Sequence, residues 1–138
     1  MRNVLIKPWT TVALFALAGC PDSSATSLDG TVILGTWNGP HASLTVDDRG
    51  GTTEYDCAHG GLQAPIRLDA DGRFVAAGVH VREHGGPIRV GEVPDSVPAV
   101  YSGRLDGATL TLRVTAGPDT LGPFTLRRDA PIQLLKCL

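Results

Sequence analysis

Long apolar runs are missing from this chain of 138 residues. A membrane-crossing helix needs roughly twenty such residues in a row, so a protein with several spans is excluded. No segment carries a helical hydrophobic period of useful length, which argues against a helical bundle. Aromatic residues make up only 5% of the sequence, leaving few large rings to wall an apolar pocket. Basic residues are not in excess, with 12 Lys and Arg against 14 Asp and Glu, so the electrostatic footprint of a nucleic-acid binder is absent. There is no Gly-x-Ser-x-Gly nucleophile elbow to accompany the His-Gly-Gly segments, which removes the esterase reading.

What is present begins at the N-terminus. Arg2 and Lys7 flank the approach to an uncharged, mostly apolar stretch over residues 9–18, the order of regions in a secretory signal. The stretch leads into Leu17-Ala18-Gly19-Cys20, which resembles the lipobox of bacterial lipoproteins. That resemblance implies removal of residues 1–19 and lipidation of Cys20, with membrane lipid as the first partner and several acyl chains making a stable anchor. It also implies a cell-envelope location, with the domain extracytoplasmic, on the periplasmic side in a diderm bacterium. Plain secretion is the alternative, because Ala16-Leu17-Ala18 satisfies the A-x-A cleavage rule. Cysteine parity favours the anchor: with Cys20 bound to lipid, Cys57 and Cys137 remain as an even pair for a disulfide in an oxidising compartment. The mature chain would keep 10 basic and 14 acidic side chains, a formal charge of −4, and nucleic acid is not an expected partner.

Residues 20–30 are small and polar and read as a flexible tether that spans at most about 30 Å when stretched. From residue 31 to 138 the chain breaks into short segments rich in Val, Leu, Ile and Thr, separated by Gly, Pro and Asp clusters. This spacing predicts a single all-β domain, an up-and-down antiparallel barrel of about eight strands, with a β-sandwich as the alternative. Candidate strands are 32–37, 42–47, 53–57, 66–68, 73–83, 88–93, 100–105, 109–115 and 124–128. Asp106-Gly107 suits a tight hairpin turn needing positive φ. Leu110, Leu112 and Val114 alternate with Thr109, Thr111, Arg113 and Thr115, marking one buried and one wet face. Asp69-Ala-Asp71-Gly72 reads as a turn rather than a calcium loop, since position twelve of the loop is His80. Residues 94–98 read as a loop.

Gly35-Thr36-Trp37 is similar to the Gly-x-Trp motif of lipocalins and the wider calycin group. The resemblance implies a lipocalin-like barrel whose tryptophan plugs the closed end beneath an arginine from the last strand, a role open to Arg127 or Arg128. Trp37, Phe74, Tyr101 and Phe124 are then candidates to line a small-ligand site, or simply to fill a packed core. Tyr55-Asp-Cys57 with Cys137 resembles the cysteine placement of bacterial lysozyme inhibitors, which are also small disulfide-bonded barrels. The inhibitory Ser-Gly pair of that family is matched by Ser102-Gly103, inside a predicted strand.

All four histidines fall between positions 41 and 84. On a strand reaching Glu83, the residues His80, Arg82 and His84 would share one face by the two-residue period, with Glu83 opposite. His59-Gly60-Gly61 and His84-Gly85-Gly86 read as turns. His80 and His84 would lie roughly 13 Å apart along a straight strand, too far to share a metal, and neither metal nor cofactor is expected. His59, His80, Arg82 and His84 are instead candidates for a polar interaction site, and loops at 84–87 and 93–98 for contacts. The expected role is non-catalytic: binding of a small apolar ligand or, alternatively, interaction with an envelope protein, as an inhibitor of a lysozyme or protease does.

Overall fold

The computed structural model describes residues 29–138, so the proposed signal, Cys20 and most of the tether lie outside the described residues. Eight antiparallel strands form a closed barrel in chain order: β1 (Gly35–Gly39), β2 (Ala42–Val46), β3 (Gly51–Tyr55), β4 (Ala58–Leu62), β5 (Arg73–Arg82), β6 (Asp95–Asp106), β7 (Thr109–Ala116) and β8 (Asp119–Arg128). Each strand therefore has a partner on both sides, and the sandwich alternative is excluded. Closure is made by the pairs Trp37 with Arg128 and Asn38 with Arg127. With no open edge and an enclosed core, residues 29–138 constitute a unit able to fold alone.

The strands form where alternation meets β-branched or aromatic residues. In β7, Leu110, Leu112 and Val114 are fully buried while Thr111, Arg113 and Thr115 face water, and the Asp106–Gly107 turn joins β7 to β6 in the register Asp106 with Thr109. The whole of β5 follows the same rule, with Phe74 and His80 inward and Val75 exposed.

Three segments differ from the sequence reading. β4 was legible only as a turn, because His59-Gly60-Gly61 contains two residues that disfavour strands. It forms because Gly60 faces the Tyr101 hydroxyl and the Thr53 side chain so closely that a Cβ there would collide with both. The barrel thus uses the missing side chain to admit a tyrosine. Residues 66–68 make only an isolated bridge, Val32 with Arg67, yet Ile66 and Leu68 are buried with Ile33. Their apolar character reflects a plug across the barrel end rather than a strand. The reading of 88–98 is reversed: residues 88–93, expected as a strand, lie in the loop between β5 and β6, and 95–98, expected as a loop, open β6 by pairing with the end of β5.

Because the strands alternate in direction, the connections segregate to two ends. Residues 29–34, the β2–β3 turn, the β4–β5 loop and the β6–β7 turn share the near end, where the tether would enter. The β1–β2, β3–β4 and β7–β8 turns and the β5–β6 loop share the far end. Asp129 adopts a positive φ of 51°, and the chain then turns back along the closing seam. Residues 130–138 form a clasp: Asn38 donates to the Ala130 carbonyl at 2.7 Å, His41 N–H to the Gln133 carbonyl at 2.8 Å, and Leu135 N–H to Asp56 at 2.7 Å. Cys137 is bonded to Cys57, with Cα atoms 4.9 Å apart.

Candidate functional site

The four aromatic candidates belong mainly to the packed interior. Trp37, Phe74 and Tyr101 are buried within one core that also contains Leu44, Leu110, Leu112 and Leu126. The Tyr101 hydroxyl donates to the Val79 carbonyl at 2.7 Å and accepts from Thr53 at 3.3 Å. Phe124 is half-buried and stacks on Tyr55, centroids 5.6 Å apart.

At the closing seam the Arg128 guanidinium lies over the Trp37 ring, 4.7 Å from its centroid, whereas Arg127 points to solvent. Gly35 makes this possible. Its φ is +95°, and a Cβ there would lie 2.7 Å from an Arg128 nitrogen, so any other residue would strain the backbone and displace the cation.

The polar candidates gather at the far end, on two sides of the barrel wall. His80 and Arg82 face inward on β5. Arg82 binds Asp95 at the start of β6 at 3.3 Å and Asp119 at the start of β8 at 2.6 Å. Since β8 is not a neighbour of β5, this ion triad crosses the mouth. Beneath it His80 is 4% exposed and its Nδ1 is buried without a hydrogen-bond partner, as is the Tyr55 hydroxyl. The two rings are 5.7 Å apart. Burial holds the His80 imidazole below its usual pKa, and the Arg82 charge acts in the same direction. Burial also pushes the Tyr55 phenol well up, so both side chains are neutral at physiological pH.

His59 and His84 face outward and do not join His80. His59 Nδ1 is 2.8 Å from Glu83, a carboxylate held low first by that hydrogen bond, with Lys136 adding to it. His84, beyond the strand end, pairs with Glu92. Its pKa is raised first by its contact with the Gly85 carbonyl and then by Glu92. These pairs border a cleft of about 380 Å³ whose apolar side consists of Val81, Ile88, Val93 and Pro94. Lys136 of the clasp reaches Glu54 at 2.6 Å and Glu83 at 3.4 Å, tying the disulfide-bonded segment to the same rim.

Above the cleft the β5–β6 loop is held in shape by Glu92, which takes the Arg89 N–H at 2.9 Å besides its pair with His84. On that frame Ile88, Val90 and Val93 are turned to solvent at 84%, 107% and 84% exposure. The far end also gathers Glu54, Asp56, Glu83, Glu92, Asp95 and Asp119 against Arg82, Arg89 and Lys136, so it is acidic as well as apolar. No group of three His, Cys, Asp or Glu among the described residues is arranged to hold a metal ion. Ser102 and Gly103 lie in mid-strand in β6, on the wall rather than on a loop.

Glu92, Asp95, Asp119 and Lys136 were missing from the sequence reading, where Tyr55 entered only as part of the Tyr55-Asp-Cys57 motif. Alternation could have placed Tyr55 inward with Thr53. Asp119 and Lys136 reach their partners only once the barrel is closed, whereas Glu92 and Asp95 meet theirs across the β5–β6 connection. No family model, curated protein or solved structure matches this chain.

Proposed function

We propose that this chain is a lipid-anchored protein of the bacterial envelope that acts without catalysis, recognising another protein through the far end of its barrel. The observation that carries the reading is the β5–β6 loop, where three large apolar side chains are held out on a frame pinned by Glu92. Exposed apolar groups rimmed by polar ones mark sites of protein contact. The surrounding carboxylates fit a basic partner with an apolar patch, and cell-wall lytic enzymes and proteases are the classes to try first. An anchor at Cys20 would place the near end toward the membrane and hold the loop about 30 Å further out.

Cell-wall lysis by several lysozymes, measured with excess 29–138 domain, tests the reading. A slowed rate that is restored by Ile88→Ser with Val93→Ser is the expected result. An unchanged rate would remove lysozyme as the target, and inhibition that persists in the double variant would remove the loop as the contact.

A second reading, a small ligand inside the barrel, is favoured by the unpartnered Tyr55 hydroxyl and His80 Nδ1. Such buried groups gain most from a polar partner. A ligand there would raise the melting temperature of the domain, and Tyr55→Phe would abolish the rise. A screen of envelope lipids and metabolites that gives no shift counts against it.

A further inference from the structure

The outer wall near the tether carries a feature that neither reading uses. Arg73 in β5 stands directly opposite Arg104 in β6, although like charges in that position repel each other. In β7, Thr111 faces Arg104 and Arg113 faces Ser102. Together with Val75 and Pro123 these residues border a shallow groove of about 360 Å³. Among the described residues, none of the three arginines has a carboxylate within ion-pair distance. Arg104 alone is steadied, by its Nε–H bond to the Asp71 carbonyl at 3.1 Å.

Three forked cations and two hydroxyls around one concavity match the oxygens of a phosphate, which guanidinium groups bind through paired N–H donors. A bound anion would relieve their mutual repulsion. Arg73 begins β5 and Arg104 lies near the end of β6, which puts both at the near end, where the tether would enter. Beside them Val75 is 76% exposed, an apolar side chain suited to the boundary between headgroups and acyl chains.

We infer that this groove binds the phosphate of an anionic lipid headgroup and holds the near end of the barrel against the membrane to which the chain is tethered. The groove supplies the phosphate chemistry by itself, and only the choice of a lipid as its source rests on the anchor reading. An electrostatic contact of this kind strengthens when the tether keeps the wall within reach.

The test uses the 29–138 domain, which lacks Cys20, so its result does not depend on lipidation. Flotation with vesicles of phosphatidylglycerol and phosphatidylcholine in equal parts is compared with vesicles of phosphatidylcholine alone. The domain should float with the anionic vesicles only and be released by raised salt. Each Arg→Gln change at Arg73, Arg104 or Arg113 should weaken binding about fivefold, while Arg89→Gln, in the β5–β6 loop at the far end, leaves it unchanged. Circular dichroism melts of the variants confirm that these surface changes preserve the fold.

Equal flotation with both vesicles, none with either, or full binding by the triple variant would overturn the proposal. So would arginine side-chain NMR signals that respond to inorganic phosphate in a domain that ignores vesicles, since the ligand would then be free phosphate. Failure in any of these ways leaves the anchor untouched. That reading is judged separately, by fatty-acid labelling of the full chain and its loss in Cys20→Ser.

Discussion

The two ends of this barrel are finished by different means. At the near end apolar side chains do the closing: Ile33, Ile66 and Leu68 are buried across the opening, and Trp37 is sealed above them by Arg128. At the far end the strands stop at an ion triad, the pairs His41–Asp56, His59–Glu83 and His84–Glu92, and a disulfide-bonded clasp. Burial of hydrocarbon stabilises one end, whereas the other depends on a covalent link and on exposed ion pairs that contribute little each. The consequence is a base held by buried hydrocarbon and an end held by a covalent link and ion pairs.

Breaking the base should have the largest effect. Trp37→Ala removes the largest ring of the closing seam and leaves Arg128 without its platform, and about 4 kcal/mol of stability should be lost. Denaturant unfolding at equilibrium measures it, and a loss below about 1 kcal/mol would mean that the seam does not depend on this ring.

Removing the disulfide between Cys57 and Cys137 with Cys57→Ala and Cys137→Ala should cost somewhat less, about 3 kcal/mol, the middle of the usual range for such bridges. Its effect should also be local. Hydrogen exchange should quicken in the clasp and the β3–β4 turn while β6 and β7 stay protected. Uniform loss of protection would erase the distinction between the ends.

The smallest effect is on pH dependence. His80 has a folded pKa below its ordinary 6.5, so the unfolded chain binds a proton more readily. Its contribution opposes folding as the pH falls below about 6.5 and disappears above it. His80→Gln should therefore flatten the decline in stability between pH 7 and the carboxylate range. His84 acts in the opposite sense, since its raised pKa gives stability that is present at low pH and lost as the pH rises through the folded value. A profile unchanged by His80→Gln would show that the imidazole under the triad is not held neutral.

Much of the architecture was legible because barrels write themselves locally. The inward and outward alternation of β5 and β7 and the turns at Asp69 and Asp106 follow from neighbouring residues alone. Asp69 shows how: its side chain takes the N–H groups of Asp71 and Arg73 at 2.9 and 2.8 Å, fixing the bend within four residues. β4 was not legible, because Gly60 answers to Tyr101, some forty residues away. The same holds for the site. His59, Arg82 and His84 drew attention as residue types, but the pairing of His59 with Glu83, that of Arg82 with Asp119 and the groove of Arg73, Arg104 and Arg113 exist only once the strands are in register. The apolar residues 88–93 carried a strand-like pattern that served exposure instead, which no local rule separates from burial.

The seam between β1 and β8 also sets an order of events in time. Trp37 must wait for Arg128, some ninety residues later, and Cys57 must wait for Cys137. A barrel that closes on its last strand has no edge-free intermediate, so a chain leaving a ribosome or crossing a membrane in extended form would stay unfolded until nearly all of it had emerged. The disulfide, joining residues 80 apart in sequence, can form only after that point.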